Sequence, residues 1–432
     1  MRFDIFCSLA QTPRPGGGLP GHASLLQEFL DQATVADDLG YGCLWVAESH
    51  FSTRTQRGNA EPAVPHWTGE IGLNTDTLQL ATRVFARTRR IDVGSAIMNI
   101  VACGGPLPAA ERVAAALAWH GLDPAESRRL RVGFAGGRFD FINRATGIVP
   151  RTGWEAQAWR QVRGAITAEA AEIFVRLLSG EELASTDVTP PGLTPQMFPD
   201  RETYDRTALA AGATGDRIPL PPRWTFERTR VLPDFRPDLL RLVGGTHDPA
   251  LQIHLNGYAP VQLFNLSITA PAAIEATHQR MATAFHPAGG PWQRHYMPRT
   301  VFVFLDATPG RTVEERRNGA RERAEATLAA YWRAMDGTVD PAKVAGSADN
   351  SLVGAPADIA AQIADRFHPQ DRVMLWFDFF ATDGDAVITA MTDFRNQVVP
   401  LLHDLGIPVD IAPADIAPAG AGRAGLAIAA TR

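Results

Sequence analysis

An α/β fold, a (β/α)8 TIM barrel with an inserted segment around residues 180–230, is predicted by three observations. Eight short apolar runs of strand character alternate with helix-period segments along the chain. That alternation implies a parallel sheet, and eight units favour a closed barrel over an open sheet. The run Gly42-Cys43-Leu44-Trp45-Val46-Ala47 stops abruptly at Glu48, Ser49 and His50. A strand buried on both faces ends in this way, and its carboxyl end is where barrel sites are built.

The elements follow in order. Arg2–Leu9 is strand one, followed by a Pro/Gly loop over 13–21. Leu26, Phe29, Leu30, Ala33 and Leu39 fall at helical spacing before the stop at Gly40. The loop 52–72 is long and polar, and such loops in compact domains are usually functional. A helix over 76–87, strand three over 91–97, a helix over 107–120, strand four over 130–134 and a helix over 154–178 come next. Glu169 and Glu172 lie one turn apart on the last of these. Periodicity is lost across the proline-rich stretch 180–230, which reads as a lid, a dimer arm or a packed arm. Strand five (239–243) precedes a short helix from Asp248 to Gly257; strand six (261–266) precedes a helix over 272–285. Strand seven (300–305) leads to a helix announced by the capping box of Thr312 and Glu315. A glycine-containing loop is expected over 336–354, then a helix from Pro356, strand eight (373–377) and a closing helix over 387–402. Residues 1–408 thus form one domain, and 409–432 an Ala/Gly/Pro-rich flexible tail.

Composition sets limits on function. The 432 residues are 45% hydrophobic and 20% charged, with 41 Lys+Arg against 47 Asp+Glu and a net charge of −6. No basic block marks a nucleic-acid or anionic-membrane partner. Cys7, Cys43 and Cys103 are widely spaced and odd in number, which points to a reducing compartment rather than a disulfide framework. The N-terminus lacks a signal-type apolar region and no window approaches a membrane span, so the expectation is a cytoplasmic protein. His66, His120 and His278 are scattered without metal-ligand spacing, and no metal is expected.

Leu39-Gly40-Tyr41-Gly42 with Trp45 to Phe51, Arg89 to Ser95, Pro106-Leu107, Leu130 to Gly137, Val353 to Pro356 and Gln397 to Leu402 together resemble the bacterial luciferase-like family of flavin-dependent monooxygenases and oxidoreductases. The order and spacing of these pieces extend from residue 1 to about 404. The resemblance implies a TIM barrel carrying FMN or, in some branches, F420. It implies a separate reductase that supplies reduced FMN, a reaction with O2 through a peroxyflavin, a small or medium organic substrate, and a homodimer.

Site residues follow from the resemblance. Family members often read Glu-His-His-Phe where this chain has Glu48-Ser49-His50-Phe51. The first, catalytic histidine of the luciferases is therefore Ser49 here, and His50 keeps the second. His50 remains an acid/base candidate because imidazole titrates near neutrality; alternatively the pair only anchors the long loop. In strand three the resemblance places a non-prolyl cis peptide near Ala96-Ile97, pressed on the flavin ring, with Asn99 at the ring edge. In the loop after strand four, the phosphate-holding arginine of luciferases aligns with Gly136, while Arg138 lies two residues on; with Gly137 these form an anion-binding candidate. After strand five, Thr246 and His247 precede a helix start and are phosphate candidates, unless Thr246 or Asp248 merely caps the helix. Asp378 stands on the expected rim, where an arginine partner is one reading, and the aromatic residues 376–380 read as packing. Two further readings keep the fold: an F420-dependent hydride-transfer enzyme, and a non-catalytic flavin-binding paralogue marked by the missing first histidine. The absence of an N-terminal Rossmann fingerprint agrees with flavin arriving already reduced.

Overall fold

The computed structural model describes residues 1–14, 17–59, 62, 64–102, 104–265, 269–380 and 383–411. Cys103, the end of the expected strand six and most of the tail lie outside these residues.

Eight parallel strands form the barrel: β1 (Arg2–Cys7), β2 (Cys43–Val46), β3 (Asp92–Asn99), β4 (Leu130–Ala135), β5 (Leu240–Gly244), β6 (Val261–Leu263), β7 (Arg299–Leu305) and β8 (Arg372–Trp376). Pairing runs β7-β8-β1-β2-β3-β4-β5-β6. A parallel bridge from Asn265 to Arg299 closes β6 on β7. All eight expected strands are present. Each apolar run is short and buried on both faces, because helices cover the outside and side chains fill the inside.

The cylinder interior has two layers. Phe6, Trp45, Val243, Phe264 and Met374 fill the half towards the carboxyl ends. A β-carbon at Gly94 would lie 2.4 Å from the Trp45 ring, so glycine there is what lets the indole cross the interior. Nearer the amino ends lies an ionic floor. Arg372 Nη1 donates to Asp4 at 2.8 and 2.9 Å, the Trp45 indole N–H donates to Asp4 at 2.7 Å, and Arg131 pairs with Asp92 at 2.8 Å. Arg294 and Arg299 pair with buried Asp371 outside that floor, which gives the residues before β7 a structural role.

Several boundaries differ from expectation. The stretch 336–354 holds a helix, Pro341–Asp349, and a strand, Leu352–Gly354, that pairs with the far end of β7. Asp340 caps that helix by accepting the Ala342 N–H at 2.9 Å, and Pro341 opens it. One Asp-Pro step and nine residues leave too little periodicity to see. The expected helix over 154–178 is split at Ala158 into Gly153–Gln157 and Trp159–Leu178, and a short helix, Asp140–Ala145, precedes it. The closing helix passes through a π turn at Phe394–Val398.

The segment 180–230 has structure of its own and packs against helix 159–178. It contains the helix Arg201–Ala210 and a small pairing of Gly192–Leu193 with Ile218–Pro219, around buried Leu193, Tyr204 and Ile218. The two carboxylates on helix 159–178 hold it. Glu169 accepts the N–H groups of Arg223 and Trp224, and Glu172 accepts from Thr189 N (3.0 Å), Arg176 Nη1 (3.0 Å) and His254 Nε2 (2.7 Å). Burial alone would raise the Glu172 pKa, but its hydrogen bonds from His254 and Thr189 carry it down to about 2. A depressed carboxylate contributes stability above its unfolded pKa and loses it as pH falls through the folded value. Glu172→Gln is therefore expected to destabilise the protein by about 1–2 kcal/mol at pH 7, after discounting for the half-exposed His254 partner. Urea melts of both proteins should converge between about pH 4.5 and pH 2; a gap that persists unchanged at pH 2 would show that the loss is not electrostatic.

Candidate active site

The carboxyl ends of the strands converge on the barrel mouth. Ser49 and His50 lie past the end of β2, and their neighbours differ. Ser49 is buried, and its Oγ has no partner among the described residues. The Ser49 β-carbon faces Gly72, where an added β-carbon would meet it at 3.3 Å and the Ser8 carbonyl at 3.4 Å. His50 has Nε2 3.2 Å from Glu48 Oε1. Glu48 is itself buried and fixed: it accepts from Thr77 Oγ1 at 2.8 Å, Thr77 N at 3.3 Å and Asn99 N at 3.4 Å. A cleft of about 10 Å³, the size of one water molecule, opens beside Glu48, His50, Asn99 and Arg112.

The end of β3 carries the cis peptide between Ala96 and Ile97, at the position the resemblance indicates. The β3–β4 register shifts between Ser95 and Met98, and a β-carbon at Gly133 would lie 2.1 Å from the Ser95 carbonyl oxygen. Glycine at 133 therefore admits the bulge. Ile97 packs where a Gly245 side chain would be, 2.3 Å from that β-carbon position. The Asn99 side chain knits two loops together. Its Nδ2 donates to Asn143 Oδ1 at 2.8 Å, and its Oδ1 accepts from Val101 N and Ala102 N at 3.1 Å. Asn143 in turn donates to the Gly136 carbonyl at 2.8 Å. A ring contact from Asn99 is thus left to its second amide hydrogen.

The loops after β4 and β5 lie side by side, because Gly245 N donates to Phe134 O at 2.9 Å. Gly137 has φ +81°, and a β-carbon on it would strike Asn99 Nδ2 at 2.2 Å; one on Gly136 would strike Thr167 Oγ1 at 2.0 Å. Neither position tolerates a side chain, so the backbone there is bare. Arg138 is exposed and lies 5.7 Å over the Phe139 ring, and no carboxylate of the described residues pairs with it. Thr246 is half-buried and His247 exposed. Asp248 caps the next helix by accepting Ala250 N at 2.9 Å, and Thr246 Oγ1 accepts Asp248 N at 3.1 Å, so Thr246 keeps its hydroxyl hydrogen for another acceptor.

The structure therefore joins His50, Asn99 and Gly137 in one arc, and Ile97, Gly245 and Thr246 in another. Ser49 lies beside Gly72, near Ser8 just past the end of β1. The sequence places Asp378 on this rim, with an arginine partner as one reading. Among the described residues Asp378 has no arginine partner: its Oδ2 accepts from Cys7 Sγ at 2.9 Å, Ser8 N at 3.0 Å and Ser8 Oγ at 3.4 Å. Burial pushes the Asp378 carboxyl up from its ordinary value. The available signal was a carboxylate two residues beyond an apolar strand.

A closed parallel barrel with its polar and glycine-rich segments gathered at the carboxyl ends is a TIM barrel, a fold whose sites are built at that rim. The sequence model of the luciferase-like monooxygenase family matches residues 1–221, and the chain belongs to that family. No curated protein is similar enough in sequence to count as a relative. Among solved structures, the monooxygenase RslO1 from Streptomyces bottropensis is similar at TM-score 0.60 and 19% identity, over 93% of this chain and 99% of that one. The oxygenating constituent of 3,6-diketocamphane monooxygenase from Pseudomonas putida, a type II Baeyer-Villiger monooxygenase in complex with FMN, is similar at 0.55 and 14%, over 93% and 99%. An F420-dependent secondary alcohol dehydrogenase in complex with an F420-acetone adduct is similar at 0.53 and 14%, over 93% and 98%. At such identities these likenesses concern the fold. Among the described residues no helix is long and apolar enough to cross a membrane, and no group of His, Cys, Asp or Glu could hold a metal ion.

Proposed function

We propose that the protein is a monooxygenase that takes reduced FMN from a separate reductase, together with O2, and oxidises a small or medium organic substrate, working in the cytoplasm as a homodimer. The observation that carries this reading is the pairing of the loops after β4 and β5. More than 100 residues apart in sequence, they lie side by side, and between them they carry an exposed guanidinium, bare glycine backbone and a hydroxyl with a free hydrogen. That donor set suits a phosphate monoester.

Reduced FMN, when bound, supplies the electrons that let O2 oxidise the substrate. Arg138, Gly136, Gly137, Thr246 and His247 would hold its phosphate, and Ala96, Ile97 and Asn99 would back its ring. The orphaned Ser49 hydroxyl would offer that ring a hydrogen-bond partner. His50, oriented by Glu48, would exchange a proton with a water molecule entering the cleft beside it.

Replacing both Arg138 and Thr246 by alanine is expected to weaken FMN binding about 10- to 100-fold while leaving riboflavin affinity nearly unchanged, because only the phosphate contacts are lost. Fluorescence titration of both ligands measures this. An equal loss for both would move the phosphate elsewhere. The F420 reading is favoured by the likeness to the F420-dependent dehydrogenase. Turnover with F420 and a reductant, and none with reduced FMN and O2, would establish it.

A further inference from the structure

The cleft beside His50 leads outward between two helices of the outer ring. Glu48 and His50 form its inner end, with side chains 4% and 13% exposed. Thr75 and Arg112 form its outer end, both on the protein surface. Arg112 belongs to the helix Pro106–His120, which follows β3, and Asp76 caps the helix Thr77–Phe85, which follows β2. Arg112 Nη2 donates to Asp76 Oδ2, so an ion pair bridges the two helices where the cleft reaches the surface. Asp76 is fixed, because it accepts Leu78 N at 3.0 Å and Gln79 N at 3.3 Å. Arg112 is the movable partner: 45% of its side chain is exposed, and an exposed pair of this kind opens readily. The wall between the two ends includes Ala109, one turn before Arg112 on the same helix. The space enclosed, about 10 Å³, has room for one water molecule.

We propose that Arg112 gates a rear water route to His50. Paired with Asp76, it closes the outer end over a single water molecule; swung out, it lets that molecule exchange with bulk solvent. The water accepts a proton from the His50 ring and passes one on to solvent, or returns one by the reverse path, so nothing is consumed. Such a route matters because an active site that excludes water at its mouth still has to exchange protons with the solvent outside. Arg112 is a positioning residue, acting through the water it confines. The route rests on geometry alone; its use in turnover rests on the monooxygenase reading above, with His50 as the acid/base group.

The test reads water contact at His50 directly, as the rate at which the ring hydrogen on Cε1 exchanges with deuterium in D2O. Mass spectrometry of the full chain after digestion follows it, and exposed His22 on the same tryptic peptide serves as the reference. Arg112→Ala is expected to speed exchange at His50 about two- to fivefold, the factor by which losing an exposed ion pair releases the opening. Arg112→Lys should return the rate most of the way, since an ammonium can also reach a single carboxylate oxygen. Ala109→Val fills the space with two methyl groups and should slow exchange below the unaltered rate. Adding FMN should leave the His50 rate nearly unchanged, because water arrives from the rear. A rate unmoved by Arg112→Ala, equal rates in the alanine and lysine variants, or exchange abolished by bound FMN would each overturn the proposal. Melting transitions of the variants verify folding, and where Ala109→Val does not fold, the two Arg112 variants decide. Absent FMN binding sinks the flavin reading alone, since the Arg112 rates are measured without it.

Discussion

Replacing Arg372 by methionine will lower the thermal midpoint by roughly 5 °C, from a loss of about 3–5 kcal/mol. Arg372 is 4% exposed and Asp4 fully buried, inside the barrel floor. Two contacts at 2.8 and 2.9 Å, with a third to Asp4 from the Trp45 indole, leave that carboxylate no route to water. Removing the guanidinium strands a charge in a space walled by β1, β2 and β8. The pair itself is another matter, since a buried ion pair often gains little over neutral groups of the same shape. Combining Asp4→Asn with Arg372→Met should therefore recover most of the loss, because asparagine still accepts the Trp45 N–H and no charge is left behind. Differential scanning calorimetry on the three proteins decides it. A double variant as unstable as the single one would mean that the guanidinium acts through packing, not charge.

That floor also shows where reading the chain stopped. The eight barrel strands were legible because each is a local apolar run, and locality is what periodicity reports. Asp4 with Arg372 and Asp92 with Arg131 were not, because their partners are 368 and 39 residues apart. Nothing in the composition of either end marks them as a pair. The same holds for Asp378, whose partners are Cys7 and Ser8 at the other end of the chain. The resemblance located the cis peptide at Ala96-Ile97, and the cap at Asp248 followed from helix-start chemistry. Helix 341–349 was hidden for a different reason: its burial rests on only Val344 and Ala348, too few positions to show a stripe.

His50→Ala is expected to lower the oxygenation rate at saturating substrate about 10²- to 10³-fold, with reduced-flavin affinity changed little. The argument is geometric. Glu48 is held by Thr77 and by the Asn99 backbone N–H, so it cannot follow a moving imidazole, and His50 is oriented by a fixed carboxylate as a general base requires. The cleft beside the pair has room for one water molecule, which would accept the transferred proton. Stopped-flow mixing of reduced holoenzyme with O2 and substrate reads the rate. In the alanine variant added imidazole should restore part of the rate, which a merely structural loop anchor would not allow. Glu48→Gln should give a smaller fall of about tenfold, since the amide still accepts from Thr77 while the imidazole loses its fixed tautomer. A His50→Ala protein with its rate intact would remove His50 from the chemistry, and with it the idea that the second histidine of the motif serves where the first has become Ser49.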